Sequence, residues 1–156
     1  MGVEFDISEN VGPRIKPLED TTSLQSLRPL DPNEATPFVA ETLRNLRHAI
    51  DTEGGDDKPA LLGFVGLPFT LAAYIIEGRG SEDFRKIKQA LFDNRAFVKQ
   101  LLQKLSDDIA TYAMFQIENG AEAIQLFDSW AGVLSPYEYD EFALPYQQQI
   151  VAAIKN

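Results

Sequence analysis

Cysteine is absent from all 156 residues, which excludes disulfides, thiolate metal sites and a thiol nucleophile, and suits a reducing compartment. Histidine occurs once, at His48, so a multi-histidine metal cluster is excluded as well. Positive charge is scarce. The 14 basic and 24 acidic residues give a net charge of -10, which argues against nucleic acid or an anionic membrane as partner and for a well-solvated surface. No apolar run approaches the roughly 20 residues that cross a bilayer. The opening residues, Met1-Gly2-Val3-Glu4-Phe5-Asp6, carry neither the basic nor the apolar region of a secretion signal. Repeats, low-complexity tracts and Ser/Gly linkers are also missing. What remains is a chain with 44% hydrophobic residues, enough to bury a core as one domain.

The most informative stretch runs from Ala60 to Gly80. Ala60 to Val65 is too apolar for an exposed strand and reads as one buried on both faces, as in parallel sheets. Gly66 and Pro68 then turn the chain sharply. From Thr70 the apolar spacing is helical, and Gly78 with Gly80 supplies the stop. This is half of a βα unit, a fold element that binds ligands at the carboxyl ends of its strands. Tyr74 carries the only polar tip on this otherwise apolar helix.

Residues 1–30 contain Gly2, Gly12, Pro13, Pro17 and Pro29 and read as mostly loop, with a weak helical stretch near Thr22 to Leu27. A terminal loop of that length suggests packing against something outside the segment. Residues 31–156 read as β/α units. Asp31-Pro32-Asn33-Glu34 has the pattern of a helix start, and Pro37 offers a second one. Phe38, Thr42, Leu43, Leu46, Ala49 and Ile50 then mark one face of a helix that ends at Gly54-Gly55-Asp56-Asp57, with His48 among charged surface neighbours. Ser81-Glu82-Asp83 reads as the cap of another helix through Phe84, Ile87, Lys88 and Leu91. Asp93 or Asn94 caps the longest one. Its stripe is Phe97, Leu101, Leu105, Ile109, Ala113 and Ile117, with Leu102 and Tyr112 alongside, while Lys99, Gln103, Lys104, Asp107, Asp108 and Glu118 face outward. Asn119-Gly120 stops it.

Ala123 to Asp128 is the second clear strand, followed by Ser129-Trp130-Ala131-Gly132. Two apolar strands separated by helices imply a parallel sheet with right-handed crossovers. Ser135-Pro136-Tyr137-Glu138 is a complete capping box, and Pro145 divides the last helical stretch, which restarts at Tyr146 and continues to Ile154. Neighbouring strands would bring Tyr74 and the pair Asp128/Ser129 to one carboxyl-end face, where a phenol, a hydroxyl and two helix N-termini favour a polar or anionic ligand. The alternative is purely structural, a core tyrosine and a turn serine. Neither is a complete catalytic set, because Asp128 lacks a histidine and no base pairs with a nucleophile.

Gly-Phe-Val-Gly-Leu-Pro-Phe-Thr-Leu-Ala-Ala-Tyr-Ile-Ile-Glu-Gly (63–78), then Ile-Gln-Leu-Phe-Asp-Ser-Trp-Ala-Gly-Val-Leu-Ser-Pro (124–136) and Phe-Ala-Leu-Pro-Tyr (142–146), resemble the uroporphyrinogen decarboxylase family. The resemblance covers nearly the whole chain, including Met-Gly-Val-Glu-Phe-Asp and Gly-Pro-Arg-Ile near the start. It implies an α/β fold, a partial (β/α)8 barrel from about the middle of the barrel. It further implies a homodimeric enzyme of haem and chlorophyll synthesis that removes four acetate carboxyls from uroporphyrinogen III without metal or organic cofactor. Tyr74 is then the active-site tyrosine, Ser129 a substrate-binding hydroxyl, and Phe127 and Gly66 parts of the pocket wall. A protonated pyrrole serves as electron sink, so the protein need only bind, orient and stabilise charge.

The resemblance also places several family residues outside this chain: the catalytic aspartate just before the segment matching Met1, the arginines further upstream, and the histidine beyond Asn156. Neither Asp6 nor Asp128 takes the aspartate's role. The isolated segment is therefore expected to be inactive. Arg79 stands where the family usually has a small residue and reads as a solvated loop arginine. Two alternatives remain: a segment of a related-fold corrinoid or thiol methyltransferase, against which the lack of cysteine counts, and a non-catalytic truncated product that associates with full-length subunits. The motifs resemble the cyanobacterial or plastid branch, so the expected compartment is plastid stroma or cytoplasm.

Overall fold

The computed structural model describes residues 2–3, 5–8, 12–55, 57–81 and 83–155. Met1, Glu4, Asp56, Glu82 and Asn156, which figure in the sequence reading, lie outside the described residues. Within 1–30, expected as mostly loop, β1 (Phe5–Ser8) pairs antiparallel with β2 (Gly12–Ile15), and α1 (Thr21–Leu24) follows. Glycine and proline obscured these strands in the sequence, but a strand with one partner tolerates a proline whose missing donor faces away from the ladder. The hairpin is joined to the body at Gly78, whose carbonyl accepts from the Ile15 N–H at 2.8 Å. Gly78 has φ +78°, and a Cβ there would lie 2.7 Å from Pro17 Cγ and 2.9 Å from the Ile15 oxygen. Both the conformation and the close approach require glycine.

Both proposed helix starts after residue 30 are used. α2 (Pro32–Ala35) is capped by Asp31, whose carboxylate accepts from the Asn33 N–H, and α3 (Pro37–Glu53) begins at the second proline. The apolar face read for α3 is only partly packed. Leu43 is buried and Ile50 partly so, but Phe38 and Leu46 are 63% and 46% exposed. They border a cavity of about 630 Å³ shared with Leu61, Phe64, Ile109 and Tyr112.

β3 (Leu62–Gly66) runs straight into α4 (Pro68–Glu77), which ends at the left-handed Gly78. α5 (Arg85–Asp93) starts later than the serine cap implied: Phe84 takes the cap position with φ +50°, and Ser81 Oγ accepts from its N–H. Glu77 supplies the missing cap by accepting from the Ile87 N–H at 3.1 Å. The Phe84 ring is buried, and holding it there forces a conformation that bulky residues rarely adopt. α6 (Arg95–Glu118) keeps its stripe in the core from Phe97 to Ala113, with Phe97, Leu101, Leu102 and Leu105 fully buried, while Ile117 at the end of the stripe is only partly covered. Asp108, read as outward-facing, is instead buried: the segment before α2 folds over it, and its Oδ1 accepts from the Leu30 N–H at 2.9 Å.

β4 (Ala123–Phe127) pairs parallel with β3, in the register Leu62↔Ala123 through Gly66↔Phe127. A 3-10 turn at Ala131–Val133 leads to α7 (Pro136–Phe142), which begins with the Ser135/Glu138 capping box, and to α8 (Leu144–Lys155), which starts two residues before the expected Tyr146. The fold class is α/β, as expected.

β3 is not covered on both faces, contrary to its apolar sequence. Val65 packs against the helices at 3% exposure, whereas Leu62 and Phe64 are 57% and 65% exposed. Phe127 shares that open face and meets Phe64 edge to face, with ring centroids 6.1 Å apart. The edge of β3 away from β4 is partly closed by Gln116 of α6. Its amide accepts from the Phe64 N–H and donates to the Phe64 carbonyl, both at 3.0 Å. No described helix is long and apolar enough to cross a membrane.

Candidate functional site

The carboxyl ends of β3 and β4 lie side by side because of the parallel register, and the residues singled out from sequence gather around them. Gly66 and Phe127 are register partners at the strand ends. Ser129 follows two residues later and is exposed. Its hydroxyl has no hydrogen-bond partner among the described residues. Tyr74 is half-buried nearly two turns into α4, and its phenol likewise lacks a partner among them. The Tyr74 ring packs edge to face on Trp130, centroids 6.1 Å apart, and Trp130 in turn packs on Phe84 at 5.0 Å. Tyr74 therefore meets the loop after β4 through Trp130, and no hydrogen bond joins it to Ser129.

Phe127 is 48% exposed on the open sheet face. Gly66 is partly covered, and a Cβ there would touch Leu71 Cδ2 at 3.2 Å. These two residues thus form an apolar lip, with the serine loop beyond it and the tyrosine on the helix side. Arg79 is exposed and makes no ion pair among the described residues, as expected for a loop arginine.

Asp128 has a role the sequence did not disclose. Its Oδ1 accepts from both the Thr70 N–H at 2.9 Å and the Thr70 hydroxyl at 2.7 Å. Its Oδ2 accepts from Gln147 Nε2 at 2.8 Å, and Gln147 Oε1 accepts from the Tyr139 hydroxyl at 2.7 Å. Thr70 Oγ1 accepts in turn from the Trp130 N–H at 3.1 Å. The carboxylate thus caps α4 near its first turn, where the helix dipole favours negative charge. The free N–H donors expected at these helix starts are therefore only partly available. Asp128 occupies the Thr70 donor of α4, and the Ser135 hydroxyl takes the Glu138 N–H of α7.

In that capping box the Glu138 carboxyl is held below its usual range, chiefly by the Ser135 hydroxyl and then by the Ser135 N–H. Thr70, Trp130, Gln147 and Tyr139 were all missed as site residues. The available signal was the Asp128 carboxylate directly after one strand, which needs donors, and a threonine just inside the helix that follows the neighbouring strand. Among the described residues no group of three or more His, Asp or Glu side chains could hold a metal ion.

The family model described as uroporphyrinogen decarboxylase matches residues 1–156. Curated relatives named uroporphyrinogen decarboxylase include one from Prochlorococcus marinus (strain MIT 9313), 45% identical over 157 residues, covering 100% of this chain and 43% of that protein. Those from Trichormus variabilis and from Nostoc sp. (strain PCC 7120) are each 47% identical with the same coverage. The chain thus spans 43% of the length of the curated relatives it matches.

Proposed function

Since the chain belongs to the uroporphyrinogen decarboxylase family, we propose that its β3–β4 end carries part of the cleft in which the whole enzyme acts. There uroporphyrinogen III loses four acetate carboxyls and becomes coproporphyrinogen III. In this reading the sheet is a section of a (β/α)8 barrel, with its open face turned toward the rest of the cylinder. The whole enzyme works as a homodimer and needs no metal or organic cofactor.

The reading rests above all on one observation. Two adjacent parallel strands end in a loop and a helix that present the hydroxyls of Ser129 and Tyr74, unpartnered among the described residues, at the carboxyl-end side of the sheet, the side that binds ligands in such folds. Tyr74 contacts substrate and supports the developing charge as carbon dioxide leaves, Ser129 hydrogen-bonds a carboxylate side chain, and Phe127 with Gly66 lines the wall. The protonated pyrrole accepts the electron pair, so positioned dipoles suffice.

The 156-residue chain alone binds the tetrapyrrole weakly and does not decarboxylate it. Titration with uroporphyrin, followed through the emission of Trp130, the single tryptophan, tests the first point. Chromatography of products after incubation with uroporphyrinogen III tests the second. Saturable quenching without coproporphyrinogen is the expected result. Absence of quenching overturns the cleft assignment, and turnover overturns the claim of inactivity.

A further inference from the structure

The Asp128 network meets the proposed cleft at a single residue. Thr70 lies one helical turn before Tyr74 on α4, so the two share a helix face. Thr70 also holds both residues that flank Ser129. Its N–H and hydroxyl donate to Asp128 Oδ1 at 2.9 and 2.7 Å, and its Oγ1 accepts from the Trp130 N–H at 3.1 Å. Trp130 places its ring on Tyr74 and Phe84. Thr70 is 7% exposed, and its hydroxyl both donates and accepts, which ties it to both sides of Ser129. Behind it, Gln147 of α8 donates to the other carboxylate oxygen of Asp128 and itself accepts from the Tyr139 hydroxyl of α7.

We infer that Thr70 is a positioning residue, anchored by Asp128, that sets the spacing between the Tyr74 phenol and the Ser129 hydroxyl. The inference rests on the cleft reading above for its functional consequence, but not for its structural content. Neither Thr70 nor Asp128 needs to touch substrate. The carboxylate is already occupied by three donors, which leaves it employed as a staple and not as a proton carrier. A displacement of well under the length of a hydrogen bond at this point moves two ligand-contacting groups relative to each other, and such shifts are costly in enzymes.

The test compares Thr70→Val, which keeps the shape and loses the hydroxyl, with Thr70→Ser, which keeps the hydroxyl, in the 156-residue chain. Two readouts are taken well below the unfolding transition: the near-ultraviolet circular dichroism of Trp130, and uroporphyrin affinity from quenching of the same residue. Thr70→Val is expected to alter the Trp130 band and to weaken uroporphyrin about tenfold, while Thr70→Ser stays within about twofold of wild type. Gln147→Met removes only the outer partner of Asp128. It is expected to shift both readouts the same way by less, and it decides the matter if the valine variant does not fold. A valine variant that loses thermal stability with its Trp130 band and affinity unchanged overturns the proposal, as does a serine variant that behaves like valine. If wild type does not bind uroporphyrin, the cleft reading falls, and the Trp130 band alone still decides the positioning role.

Discussion

Replacing Gln116 by methionine is the most direct test of how this sheet is finished. The side chain is 4% exposed, and both of its amide groups engage the Phe64 backbone at 3.0 Å on the edge of β3 that faces away from β4. Methionine fills nearly the same volume without strain and offers neither donor nor acceptor. Two backbone groups then lose their partners. A fully buried orphan costs about 1–3 kcal/mol, but water reaches this edge in part, so the sum is set at about 2–4 kcal/mol. For a domain of this size each kcal/mol shifts the melting temperature by about 2–4 °C, and the expected fall is about 4–16 °C. Thermal unfolding followed at 222 nm measures it.

A second substitution checks the mechanism and not only the size. A Cβ on Gly63 would stand 2.6 Å from Gln116 Oε1, so Gly63→Ala acts partly by expelling the amide. In the Gln116→Met background it should therefore cost at least about 0.5 kcal/mol less than in wild type. A methionine variant within about 0.5 kcal/mol of wild type, or strict additivity of the two changes, refutes the claim that the amide serves as a surrogate neighbour for β3.

Three further outcomes are expected. Gly78→Ala combines a left-handed backbone with contacts on Pro17 and the Ile15 oxygen; it should destabilise by about 2 kcal/mol or more in urea titration. Phe69→Ala opens a cavity at a side chain with 0% exposure; a loss of about 3–5 kcal/mol is expected by the same assay. The Glu138 carboxyl, lowered first by the Ser135 hydroxyl, contributes stability that is fully present above the usual glutamate value of 4.5 and is lost as pH falls through its lower folded value. Melting temperatures of wild type should therefore fall toward those of Glu138→Gln below that pH, and parallel profiles for the two proteins would contradict the assignment.

The parts legible in the sequence were those where local chemistry and packing agree. Gly66 and Pro68 after an apolar run placed the turn between β3 and α4, Ser135 with Glu138 placed the start of α7, and the spacing from Phe97 to Ala113 placed the core face of α6. The misreadings share one cause, which is tertiary context. Asp108 lies on a helix face that looks polar until the chain before α2 covers it. Leu62 and Phe64 look like core because β3 is apolar throughout, yet the described helices cover only the face that carries Val65. Ser81 resembles a cap, but burial of Phe84 moves the start of α5 onward and hands the capping to Glu77. Around the candidate site, Tyr74 stood out as the polar tip of an apolar helix and Ser129 as a hydroxyl just after a strand, whereas Thr70 and Gln147 gained meaning only once three elements converged on Asp128.

The uncovered side of the β3–β4 sheet has a consequence for handling the molecule. Leu62, Phe64 and Phe127 form a sticky plane beside a partly open strand edge, and two such planes can zip together when copies collide. What holds copies apart is their common negative charge, -10 near neutrality, which vanishes at an isoelectric point of about 4.5. Salt weakens that repulsion and acid abolishes it at the isoelectric point, so carboxylates govern how readily these three bare side chains, beside others such as Phe38, meet their counterparts on another copy.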